Sequence, residues 1–148
     1  MQPRWQIVAL LTMAALVVSL GGCQSGLKEP VYPVKGQLFI DDKPAKGAVV
    51  WFNPVDAPEP DKLKPAADPR PSGIVEEDGS FEVSTYGSKD GAPAGRYRIG
   101  VMWAKTMGGD EEQRLLSLDF MDPDRAGLPV VEVRPAPSNV LPPFKISR

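Results

Sequence analysis

Proline occupies 17 of the 148 positions in this chain. It fixes φ near about −65° and carries no amide hydrogen, so it is excluded from helix interiors and from central, fully paired strands. A chain interrupted this often must be rich in turns, loops and edge strands. Between the interruptions runs a period-two alternation of apolar and polar residues, which marks half-buried strands. Val34, Gly36, Leu38 and Ile40 share one face, with Lys35 and Gln37 on the other. Asp41-Asp42-Lys43-Pro44 is turn chemistry. Ala48, Val50 and Phe52 then alternate with Val49, Trp51 and Asn53, so these two segments are expected to form a hairpin.

The pattern resumes beyond a proline-rich loop from Asn53 to Pro71. Ser72 to Glu76 and Phe81 to Tyr86 are expected to pair around Glu77-Asp78-Gly79-Ser80, with Gly79 taking positive φ. Tyr97, Ile99, Val101 and Trp103 alternate with Arg96, Arg98, Gly100 and Met102, the cleanest strand in the chain. Within Lys105 to Gly127, Glu111 to Leu118 reads as a short helix or as part of a second long loop. Val131 and Val133 face inward on another strand, and Phe144 and Ile146 belong to a last one. Pro142-Pro143 just before that strand keeps it from a central position. These features predict an all-β fold: a single antiparallel Greek-key β-sandwich of about seven strands over residues 31–148.

The first 30 residues read as an address and a tether. Met1 to Gln6 is polar with one cation, Arg4, and Ile7 to Leu20 is almost wholly apolar. That is the layout of a secretory signal, and it is too short to span a bilayer core comfortably, which takes about 20 apolar residues. Leu20-Gly21-Gly22-Cys23 follows directly. This segment resembles the lipobox of bacterial lipoproteins, which implies cleavage between Gly22 and Cys23 and lipidation of Cys23. Residues 1–22 are then a lipoprotein signal peptide and 23–30 a lipidated tether. Two or more acyl chains anchor stably, at about 0.8 kcal/mol per buried methylene. By the same resemblance, Gln24 in place of an aspartate favours the outer membrane over the inner. An ordinary signal peptide with an incidental cysteine is the competing reading.

Composition narrows the chemistry. The chain carries a formal charge of −2, which becomes one unit more negative when Arg4 leaves with residues 1–22. No basic run stands out, so nucleic-acid binding by phosphate neutralisation is not expected. There is no histidine and one cysteine. Histidine-based triads, histidine metal sites and an internal disulfide are therefore excluded. Ser88-Lys89 is formally a serine–lysine pair, though a solvated turn is the simpler reading. Asp119, Asp122 and Asp124 form a sparse acidic loop that lacks the dense spacing of a calcium-binding EF-hand. No catalytic residue, metal ligand or cofactor is expected. Parity directs Trp103 into the core and turns Phe39 and Trp51 outward, where they either face a ligand such as a sugar or pack beneath a neighbouring loop.

Several segments together carry a wider resemblance. They are Val34-Lys35-Gly36-Gln37-Leu38 with Asp42 to Phe52, Glu77-Asp78-Gly79-Ser80-Phe81-Glu82-Val83, Ser84-Thr85-Tyr86 through Asp90 to Tyr97, and Val131-Glu132-Val133. The chain resembles small bacterial lipoproteins with a carboxypeptidase regulatory-like, or transthyretin-like, domain over most of residues 31–147. The resemblance implies a fold and no catalysis, since such a domain is accessory to a separate zinc peptidase in true carboxypeptidases. The expected function is therefore that of a non-enzymatic, exported lipoprotein, anchored through Cys23, whose sandwich binds or supports components of the cell envelope. An envelope protein or a polysaccharide is the expected kind of partner. A carbohydrate- or envelope-polymer-binding module using Phe39 and Trp51 is the alternative within binding, and an enzyme is the alternative of another class.

Overall fold

The computed structural model describes residues 28–56, 70–106 and 112–148. Its strands are β1 (Val31–Tyr32), β2 (Val34–Ile40), β3 (Lys43–Pro44), β4 (Val49–Pro54), β5 (Ser72–Ile74), β6 (Ser80–Glu82) and β7 (Ala92–Pro93). They continue with β8 (Gly95–Met102), β9 (Ala104–Thr106), β10 (Glu112–Arg114), β11 (Val131–Val133), β12 (Asn139–Val140) and β13 (Phe144–Ile146). One 3-10 turn spans Leu118–Phe120. The fold is all-β, as the alternation predicts. The proposed signal peptide, Gly22 and Cys23 lie outside the described residues.

Two sheets face each other. In one, the strand order is β11-β8-β4-β5, antiparallel throughout. In the other, β2 is the spine. Val34 and Leu38 bond to Val83, Gly79 and Ala45 along one edge of β2, which takes β6 and β3 antiparallel. Pro33, Lys35 and Asp41 bond to Asn139, Leu141 and Ile146 along the other, which takes β12 and β13 parallel. That parallel edge is a departure from a purely antiparallel sandwich. The chain returns from β11 in the opposite sheet and so enters beside β2 running in the same direction. Pro142-Pro143 interrupts this edge and divides it into two short strands.

The expected β2–β4 hairpin does not form. β2 turns back only into the two-residue β3, and β4 crosses to the other sheet. The crossing solves a burial problem. Two adjacent strands in one sheet both need a cover for their apolar face, whereas strands in opposed sheets cover each other. Val34, Leu38 and Ile40 thereby meet Val50 and Phe52 in one cluster. The turn at Gly79 forms as expected, with φ of 87°, and Asp78 accepts bonds from the backbone and hydroxyl of Ser80. Its two arms diverge, however: β5 joins β4 and β6 joins β2, bonded to each other at the turn through Glu76 and Ser80 and again at Ser72 and Ser84.

Inward parity holds along both long strands. Val34, Gly36, Leu38 and Ile40 are buried, as are Tyr97, Ile99 and Val101. Burying each aliphatic side chain of this kind contributes about 1.5–3 kcal/mol. Phe52 joins the sheets, meeting Phe81 edge-on at 6.4 Å across the core and Tyr97 at 5.8 Å in its own sheet. Phe81 stacks on Phe144 at 6.3 Å. Gly36 permits this, because the Phe81 ring lies where a β-carbon at position 36 would stand.

Of the stretch Glu111 to Leu118, residue 111 lies outside the described residues and the remainder forms no α-helix. Glu112–Arg114 pairs as a strand with Ala104–Thr106, and only Leu118–Phe120 winds into a short turn. The following residues strap the outer face of the four-stranded sheet. The Met121 carbonyl stands 2.8 Å from where a β-carbon on Gly100 would be, and Leu116 is buried.

Candidate functional site

Phe39 and Trp51 both point away from the core and both are half-buried. They stand on opposite outer faces, Phe39 on the β2 sheet and Trp51 on the β4–β8 sheet, with the whole sandwich between them. Facing sheets pack about 10 Å apart, so the two rings cannot form one platform. Each has a neighbouring turn beside it. The Phe39 ring reaches 3.1 Å from the β-carbon position of Gly79. Trp51 lies opposite Ser72 on one side and Gly100 on the other, next to the crossing at Met121. Val49, Met102 and the exposed Ile74 complete the apolar surface around Trp51.

Trp103 is half-buried and packs against the core cluster, at the end of the inward row begun by Tyr97. Its indole N–H donates to the Lys46 carbonyl at 3.0 Å. The Arg148 guanidinium lies 5.7 Å from the ring centroid, within cation–π range. Arg148 also donates from its backbone and Nε to Asp41, both at 2.9 Å, and from Nη1 to the Leu115 carbonyl. The backbone N–H and then the side chain of Arg148 hold the Asp41 carboxyl below its usual range. This corner locks the β2–β3 turn to the start of the strap.

At the other end of the sandwich, the Lys28 ammonium sits 5.3 Å over the Tyr86 ring. The Asp90 carboxylate accepts bonds from the backbone N–H groups of Thr85, Tyr86 and Gly87 at 2.7 to 3.0 Å. Burial opposes its charge, but the backbone donors of Thr85, Gly87 and Tyr86 outweigh that and hold the carboxyl below its usual range. Tyr97 donates its hydroxyl to the Pro93 carbonyl at 2.7 Å, and burial pushes its phenol up to about 12. Ser88 is exposed. Lys89 points its ammonium at Glu82, 3.3 Å away, and at Glu76, 4.0 Å away. Its ammonium is thus directed at carboxylates of neighbouring strands and turns rather than at the Ser88 hydroxyl.

The acidic loop is paired with arginines, one of its own and one from β8. Arg125 reaches Asp119 at 3.1 Å and Asp122 at 3.7 Å, and Arg98 reaches Asp124 at 2.7 Å. Among the described residues no group of three or more potential ligands is poised for a metal, and no helix is long and apolar enough to cross a membrane. Sequence reasoning missed Asp90 and the Asp41–Arg148 corner. The Asp-Gly pair at 90–91, in a loop with Gly87 and Ser88, is a turn signal that could have found the first. The second joins residues 107 positions apart, and no local pattern marks it.

No protein-family model matches the chain, and no curated protein matches it. Among solved structures, a 9R-lipoxygenase from Cyanothece PCC8801 is similar over 79% of this chain, with 13% identity and a TM-score of 0.38. The chain covers 16% of that protein's length. At this TM-score the likeness bears on neither the fold nor the chemistry of the chain.

Proposed function

We propose that this protein is an exported lipoprotein, held on a membrane of the cell envelope by fatty acyl groups on Cys23, whose β-sandwich serves binding or structural support. The observation that carries the reading is Leu20-Gly21-Gly22-Cys23 placed directly after the apolar run Ile7 to Leu20. The start of β1 at Val31 supports it, because seven residues, Gln24 to Pro30, are left as a tether after cleavage. Gln24 favours the outer membrane. The carboxypeptidase regulatory-like resemblance belongs to the same proposal: its quoted segments fall on β2, β3 with β4, the turn before β6, β7 with β8, and β11. The whole chain lacks histidine, which favours a non-enzymatic role. Metabolic labelling with a fatty-acid analogue tests the anchor. The wild-type chain takes the label and Cys23→Ala does not; label retained by Cys23→Ala overturns the reading.

A second reading, a module for a carbohydrate or another envelope polymer, is favoured by the apolar surface of Trp51, Val49, Met102 and Ile74. Phe39, on the far face, belongs to no common site with it. Titration with envelope polysaccharide should change tryptophan fluorescence in the wild type and leave Trp51→Ala unchanged. An equal response in both variants removes Trp51 from the site.

A further inference from the structure

The point where the tether joins the sandwich is fixed by several contacts. Lys28 lies over Tyr86, and β1 pairs with β7 through Val31–Pro93 and Tyr32–Ala92. Gly91 packs so closely beneath the Tyr32 carbonyl that a β-carbon at position 91 would overlap it. Tyr97 in turn holds Pro93 through its hydroxyl. The chain therefore leaves the domain at one defined end, beside the loop from Tyr86 to Gly91. The same end carries the start of β2, the Ser72–Ser84 bridge and the segment Arg134 to Asn139. The turns at Asp41 to Gly47 and Glu76 to Gly79 lie at the opposite end, past the seven residues of β2.

Reach decides which end meets the bilayer. Four residues separate Cys23 from Lys28, so an extended chain spans at most about 18 Å between them. A seven-residue strand is itself about 23 Å long. A lipid on Cys23 can thus bring the Tyr86 end to the headgroups but leaves the far turns well above them. The chemistry of the near end suits that depth. Tyr32 and Tyr86 are half-exposed there, and tyrosine settles at membrane interfaces with its ring apolar-side and its hydroxyl wet. Lys28 is exposed beside them. Of the acids nearby, Asp90 is turned into backbone donors and Glu82 is paired with Lys35 and Lys89, which leaves Glu29 exposed.

We propose that the end built from β1, β7 and the Tyr86–Gly91 loop is a membrane-docking surface that rests on phospholipid headgroups, so that the Asp41–Gly47 and Glu76–Gly79 turns face away from the membrane. The proposal rests on lipidation at Cys23. The test uses the full lipidated chain in phospholipid vesicles that contain a nitroxide-headgroup lipid. One fluorophore is placed by Ser88→Cys or Ser138→Cys at the near end, and by Lys43→Cys or Glu77→Cys at the far end. All four positions are exposed. Emission should be strongly quenched for both near-end labels and unquenched for both far-end labels. Equal quenching at the two ends, or the reverse order, overturns the docking surface. The unsubstituted chain separates the two readings, because a thioether-linked Cys23 has no thiol to label. If the unsubstituted chain takes the fluorophore, the lipidation reading fails, and the docking surface, which depends on it, falls with it.

Discussion

On the outer face of the β2 sheet stand Lys35, Gln37, Phe39, Glu82 and Lys145; on that of the β4–β8 sheet stand Val49, Trp51, Ile74, Gly100 and Met102. The first face is finished with charge. Lys35 meets Glu82 at 2.7 Å, and Lys145 meets Asp42 at 3.5 Å. The second is apolar around Trp51, gives way to Arg96 and Arg98 at the start of β8, and is partly covered by the chain from Leu115 to Leu128, which touches down on Gly100. Both faces belong to strands with the same inward alternation. The inward half of each pattern reports the core, and the outward half reports whether water or another segment covers the sheet.

The largest effect should ignore this contrast. Phe52 bridges the sheets, so Phe52→Ala should cost about 3–5 kcal/mol and loosen both faces together in a denaturant melt. If hydrogen exchange instead showed only one face loosened, the two sheets would not share a core.

Gly100→Val separates the faces. A side chain there meets the Met121 carbonyl, and overpacking of this kind costs roughly 1–3 kcal/mol. The strap should lift, so limited proteolysis should cut near Arg114 or Arg125 before the sandwich unfolds. Gln37→Val, on the charged face, should stay within about 0.5 kcal/mol, as exposed changes usually do. Equal damage from both variants would mean that the strap is not seated on Gly100.

Acid should act on the charged face. Hydrogen bonding to Lys35 and then to Lys89 lowers the Glu82 carboxyl below its reference value of 4.5. A depressed carboxyl contributes stability that is fully present above the unfolded value and is lost as pH falls through the folded one. Wild type and Lys35→Met should therefore differ slightly near neutrality and converge well below pH 4.5. Urea melts across that range check the sign. A difference that grew on acidification would contradict the pairing.

The sequence made the inward faces legible because period two is a property of the strand itself. Val34 to Ile40 and Tyr97 to Val101 are buried in the order the alternation gives. The outward placement of Phe39 and Trp51 followed from the same parity. Which strand lies beside which did not follow. β2 and β4 have matching patterns and a turn between them, yet each is needed as the other's cover and they end in different sheets. The run from Glu112 to Arg114 was ambiguous for a related reason, since three residues carry no period and β9 decides their state. The separation of Phe39 from Trp51 is a consequence of topology, and parity along single strands cannot express it.

The smallest effect bears on what holds the strap. Tyr97, Ile99 and Val101 face the core, and a one-residue slip of β8 would bury Arg96 and Arg98 instead. Val101→Ala should therefore cost about 1–3 kcal/mol through lost burial and a residual cavity. Arg98 points outward and pairs with Asp124 of the strap at 2.7 Å, with both side chains more than a third exposed. Pairs in that setting contribute little, so Arg98→Ala should stay within about 0.5 kcal/mol. The strap should also remain protected from protease, because its seat is the contact at Gly100 and the burial of Leu116. If Arg98→Ala released the strap while Gly100→Val did not, charge would be holding the apolar face closed, and the contrast between the two faces would be reversed.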